Sequence, residues 1–135
     1  MLAEFEAESV CLEDFSFKEQ VALMQRTRLL ISIHGAGLTN MMFMQEGGTV
    51  IEILPRKNGI FDYKMSRNTS FNNACLHDAC YVRLAEALNQ EYQYLESDPD
   101  NKWYSGTHMA NLNVELGSLK KTIENSILIK NEPHE

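Results

Sequence analysis

The sequence predicts an α/β fold: a parallel sheet flanked by helices. Three observations carry this. Leu29–Ile33 is a short aliphatic, β-branched run, as a buried strand requires. His34-Gly35-Ala36-Gly37 follows, with no bulky side chain after the histidine, so the backbone can turn sharply and a ligand can approach it. Thr49–Leu54 is a second apolar run, interrupted only by Glu52 and stopped by Pro55. Between them Leu38–Met44 are good helix formers, and Gly47-Gly48 suit a helix C-cap. Strand, glycine turn, short helix and strand make a βαβ unit, whose two strands run parallel.

The other elements follow in chain order. A strand is expected around Ser9–Leu12, before the acidic pair Glu13-Asp14. Ser16 precedes Phe17-Lys18-Glu19 with the spacing of a capping box, so a helix should run from Phe17 to about Arg26, with Val21, Leu23 and Met24 as its apolar contacts. Arg26 and Arg28 read as a solvated helix end, where cations suit the dipole. Residues 9–54 thus read β-α-β-α-β, with Leu29–Ile33 as the central strand. Residues 56–74 read as a polar loop carrying Lys57, Phe61 and Tyr63. These aromatics either stack on a ligand base or tuck into the core, and Lys57 either meets a phosphate or stays in solvent. Cys75-Leu76-His77-Asp78-Ala79-Cys80 lacks a zinc spacing, and structural thiols are the better reading. A helix through Val82–Leu88, a strand over Glu91–Leu95 and a loop over Ser97–His108 come next. Asn113–Leu116 reads as a short turn or strand. Ser118–Lys130 reads as a closing helix with Leu119, Ile123 and Ile127 on one face, before a frayed tail.

In open α/β sheets ligands bind where strands end and helices begin. Residues 34–40 occupy that edge. The N–H groups of Gly37, Leu38 and Thr39 would face outward there, and the helix dipole favours a phosphate. The turn is not a dinucleotide fingerprint, because the third glycine of GxGxxG is missing; this argues against an oxidoreductase domain. His34 reads either as a ligand contact or as a hydrogen-bonded residue holding the turn. Glu52 reads either as a site carboxylate or as a cap on a neighbouring helix.

Composition narrows the class. At 135 residues the chain is sized for one domain, 1–135, with its own core. A hydrophobic content of 44% and a charged content of 23% are those of a globular protein. The formal net charge of −7 argues against a nucleic-acid surface but not against a small phosphorylated ligand. No run approaches the roughly 18 apolar residues of a membrane span. The acidic start, Met1-Leu2-Ala3-Glu4-Phe5-Glu6, does not look like a secretory signal, and an odd number of cysteines, Cys11, Cys75 and Cys80, does not look like a disulfide framework. Reduced thiols and a cytoplasmic location are the expectation.

Three blocks in this order, Phe15-Ser16-Phe17-Lys18-Glu19-Gln20, His34-Gly35-Ala36-Gly37-Leu38-Thr39-Asn40 and Val50-Ile51-Glu52-Ile53-Leu54-Pro55, resemble the donor-binding half of family 61 glycosyltransferases. That family includes plant xylan glycosyltransferases, animal enzymes that add N-acetylglucosamine to proteins, and bacterial relatives associated with capsular polysaccharide synthesis. The resemblance covers residues 9–95 by order and spacing and is loose after residue 56.

It implies one Rossmann-like lobe of a GT-B arrangement, acting on a nucleotide-sugar donor and a glycan or protein acceptor. It further implies inversion at the anomeric carbon, no cofactor and no bound metal, with helix dipole and cations stabilising the leaving diphosphate. Carried over by position, His34, Gly35, Ala36, Gly37, Leu38, Thr39 and Asn40 would bind the diphosphate. Glu52 would grip the ribose, and Phe61 and Tyr63 would border the base or sugar. No catalytic residue can be named. Family members are longer, so a fragment lacking an N-terminal acceptor lobe is expected. An open sheet edge would then favour homo-oligomers, and a secretory-pathway lumen is the alternative location for a piece of a eukaryotic enzyme. The rival reading is a non-catalytic nucleotide-binding or interaction module of the same fold.

Overall fold

The computed structural model describes residues 2–55, 80–99 and 111–131. Its centre is a four-stranded sheet in the order β1 (Leu29–Ile33), β2 (Thr49–Pro55), β3 (Glu91–Pro99) and β4 (Leu112–Asn113). β1 pairs parallel with β2 and β2 parallel with β3, while β4 closes the sheet antiparallel. The expected βαβ unit is therefore present with parallel strands, and the sheet as a whole is mixed.

Helices cover both faces. On one, α1 (Phe17–Arg26), a 3₁₀ segment (Ala36–Phe43) and α2 (Cys80–Ala87) surround Met24, Leu38, Met41, Met44, Val50, Tyr81 and Ala85. On the other, α3 (Leu116–Asn131) packs Leu119 and Ile123 against Ile51, with Phe5, Ile31 and Leu95 at the margin. Successive strand residues point to opposite faces, which is why Val50 and Ile51 belong to different cores. Ile127, placed on the buried face of α3 by its spacing, is 44% exposed, and Ser126 takes the inward position.

α1 begins as its sequence predicts. The Ser16 side chain accepts the Glu19 N–H, and the Ser16 N–H donates to Glu19 Oε2 at 2.8 Å. Hydrogen bonds from Ser16 hold the Glu19 carboxyl below its usual range. Because the folded-state value is depressed, the cap supports the fold at neutral pH and loses that contribution as the carboxylate becomes protonated on acidification. Ser16→Ala is expected to cost about 1 kcal/mol in chemical denaturation at neutral pH, and less in acid; an equal cost at both pH values would show that the carboxylate plays no part.

Four expectations are corrected. Ser9–Leu12 is not a strand: Leu12–Asp14 form a short 3₁₀ turn. Gln20 Nε2 donates to the carbonyls of Leu12 (2.8 Å) and Phe15 (3.0 Å), which ties this backbone to α1 rather than to the sheet. The third parallel strand is instead β3, so among the described residues β2 is central and β1 lies at the edge. Residues 36–43 are 3₁₀ rather than α. In a 3₁₀ helix side chains three apart eclipse, and this aligns Leu38 and Met41, both fully buried, in one ridge over the sheet. Finally, Gly47 does not cap that segment, which ends at Phe43. Gly47 has φ +74° and turns the chain into β2, donating its N–H to the Asn89 carbonyl at 2.9 Å.

Candidate functional site

The site assembles at the carboxyl edge of the parallel strands. Ladder pairing carries one residue past β1, because the His34 N–H donates to the Ile53 carbonyl at 2.9 Å. His34, Glu52 and Tyr92 all point to the sheet face that carries the 3₁₀ segment. Register explains this: Ser32 pairs with Glu52, and Val50 with Tyr92, so residues two apart along adjacent strands share that face.

Glu52 is fully buried, so its carboxylate must find hydrogen bonds inside. It does so with both oxygens. Oε1 meets His34 Nδ1, and Oε2 accepts the hydroxyl of Tyr92. The direction of the His34 bond depends on the tautomer: where the carboxylate is ionised it only accepts, and Nδ1 is the donor. The His34 side chain is 16% exposed, and Nε2 has no partner among the described residues. On the far side of the ring, Tyr81 of α2 stands edge-on, with ring centres 5.5 Å apart and planes at 71°. Its hydroxyl donates to the Gly35 carbonyl at 2.6 Å, fastening the glycine turn to α2. Burial pushes the Tyr81 phenol above its ordinary range, and a hydrogen bond with Thr39 opposes the shift.

The turn itself differs from the expectation in which amides it presents. Leu38 N–H donates to the Gly35 carbonyl at 3.0 Å, and the 3₁₀ ladder takes those that follow. A 3₁₀ start leaves fewer N–H groups open than an α start, and here they are those of Ala36 and Gly37 rather than Gly37 to Thr39. The Leu38 side chain is wholly buried, and Asn40 donates to the Gly37 carbonyl at 3.2 Å, bracing the turn. Ala36, Gly37 and Thr39 are exposed.

The structure thus brings His34, the glycine turn and Glu52 together. It places Glu52 behind His34, fully buried. Phe61, Tyr63 and Lys57 lie outside the described residues, as do Cys75–Ala79. Sequence reasoning missed Tyr92 and Tyr81. A lone carboxylate in an apolar strand signals that partners exist, but only the register shows that one of them is Tyr92. Nothing in the sequence ties Tyr81 to Gly35.

By architecture this is an α/β protein whose polar cluster sits where a parallel sheet meets a glycine turn. By sequence it is a relative of the glycosyltransferase 61 family, whose model matches residues 1–51. It is similar to protein O-linked-mannose beta-1,4-N-acetylglucosaminyltransferase 2 of Xenopus tropicalis, 39% identical over 116 residues that make up 86% of this chain and 19% of that protein. The Xenopus laevis protein of the same name is 26% identical over 116 residues, again 86% of this chain and 19% of the relative. The Homo sapiens protein is 40% identical over 47 residues, 35% of this chain and 8% of its own length. The chain therefore spans about a fifth of the length of the Xenopus relatives. No helix among the described residues is long and apolar enough to cross a membrane.

Proposed function

We propose that this chain supplies the nucleotide-sugar-binding part of a glycosyltransferase that transfers a sugar to a glycan or protein acceptor. The observation that carries the reading is the joining of a glycosyltransferase 61 sequence to a glycine turn with open amides at Ala36 and Gly37 beside His34. Amides at the start of a helical segment and a protonatable imidazole suit a diphosphate. His34–Gly37 form the diphosphate contact, Thr39 and Asn40 shape its rim, and Leu38 anchors the turn from the core. Glu52 acts from behind His34 rather than on the ribose. Phe61 and Tyr63 border the base or sugar.

The relatives' names supply the finer assignment: an N-acetylglucosaminyl donor and O-linked mannose on a protein as acceptor. Transfer is inverting, with no metal, and the lobe is half of a GT-B pair. An acceptor of that kind favours the secretory-pathway lumen over the cytoplasm. The outer edge of β1, where Ile33 is 57% exposed, is the place for association with another lobe or copy.

Titration of the labelled chain with uridine diphosphate, followed by NMR, tests the reading. Shifts should cluster at residues 34–40 with a dissociation constant of roughly 1 mM, because one lobe buries little of the ligand. Absence of shifts at 34–40 at saturating ligand would leave the non-catalytic interaction module as the better account.

A further inference from the structure

We propose that the Tyr92–Glu52 pair couples diphosphate binding at the glycine turn to uptake of one proton by His34. The inference rests on the donor-binding reading above. Its basis is the direction of hydrogen bonding. Tyr92 donates to one oxygen of Glu52, and the other oxygen meets His34 Nδ1, which is the donor of that bond where the carboxylate is ionised. Glu52 has no solvent exposure, so neither bond can be exchanged for water. With Nδ1 bearing its hydrogen, the neutral imidazole has only a lone pair at Nε2. That lone pair repels a phosphate oxygen. A hydrogen at Nε2 exists in this arrangement only when the ring is protonated. The imidazolium then donates Nδ1–H to Glu52 and Nε2–H to the diphosphate, lying between two anions. The proton comes from solvent, and no bond other than this N–H forms or breaks.

The surroundings agree with this. Among the described residues, the titratable groups on the elements packed against His34 are Glu52 on β2; Glu91, Tyr92, Tyr94, Glu96 and Asp98 on β3; and Cys80, Tyr81, Arg83 and Glu86 on α2. The 3₁₀ segment carries none. Arg83 is exposed and pairs with Glu86 of the same helix at 3.5 Å, whereas His34 stands against Glu52 beside the glycine turn.

Calorimetric titration of the 135-residue chain with uridine diphosphate, in buffers of different ionisation enthalpy, measures the proton uptake directly. It is run between about pH 5.5 and pH 8, the interval in which histidines commonly change charge. Wild-type affinity should fall as pH rises across this interval, because binding takes up a proton. His34→Gln reports the ligand's own titration and should show neither this slope nor the extra proton. Glu52→Gln gives the opposite sign of evidence. Tyr92 still donates to the side-chain oxygen, so the amide nitrogen faces Nδ1 and donates to it. The histidine hydrogen moves to Nε2, and binding should persist at pH 8 without proton uptake. The long-range nitrogen–proton NMR spectrum of the ring should show this change of tautomer.

Proton uptake in the wild type that disappears in His34→Gln supports the coupling. Binding at residues 34–40 with the same proton uptake in both proteins overturns it and leaves the donor-binding reading intact. Absence of any binding at 34–40 removes that reading and the coupling together. If Glu52→Gln does not fold, the comparison of wild type with His34→Gln still decides.

Discussion

Ile51→Asp is expected to leave the chain unfolded at room temperature. Ile51 is fully buried on β2, the strand flanked by parallel neighbours on both sides, and its side chain packs beneath Leu119 and Ile123 of α3. Removing the aliphatic side chain alone would cost about 2–5 kcal/mol. The carboxylate adds the larger penalty, because it would enter a cluster built of apolar side chains, where a buried unpaired charge costs several kcal/mol more. Domains of this size are typically stable by about 5–15 kcal/mol, so the sum approaches the whole. The companion variant Ile31→Asp should be much milder. Ile31 lies on the edge strand, is half-buried, and a carboxylate there can turn toward water. Circular dichroism melting of both variants checks the pair. A cooperative melt of Ile51→Asp near that of the parent would mean that β2 is not the central strand.

That contrast also shows where the sequence was readable. The βαβ unit was legible because all its signals are local: an apolar run, a glycine turn and a second apolar run within Leu29–Pro55. The cap of α1 was legible for the same reason, since Ser16 and Glu19 make their bonds three residues apart. The rank of the strands was not local. β1 reads as a central strand until β3, from beyond residues 56–79, takes the place beside β2. The apolar character of Leu29–Ile33 reflects cover from helices on both faces, and its outer edge, unpaired among the described residues, leaves no mark in the pattern. The helix type at 36–43 was misread because the residues are good α formers. The choice is made by packing: Leu38, Met41 and Met44, each three apart, all enter the core. At the site, His34, the glycines and Glu52 stood out by chemistry, whereas the bond from Glu52 to Tyr92 depends on the register of β2 with β3.

Gly37→Val is expected to abolish diphosphate binding and leave the fold in place. A Cβ built at Gly37 meets no atom within 4 Å, and Gly37 is not among the glycines with positive φ. The residue is exposed, so the side chain would project into solvent rather than into the core. The stability cost should be about 0.5 kcal/mol or less, the usual size for a surface change outside a cap or core. The same open space is the one a diphosphate must enter to reach the N–H groups of Ala36 and Gly37, and two branched methyl groups would fill it. Binding of uridine diphosphate should weaken by at least about tenfold, equivalent to about 1.4 kcal/mol, and the shifts at residues 34–40 should vanish. Gly37→Ala, with a single methyl at the same place, should give an intermediate loss. Thermal melting run beside the titration separates the two effects. If Gly37→Val melts like the parent and binds uridine diphosphate with parental affinity, the ligand does not approach the backbone of this turn, and His34 would have to bind from another side.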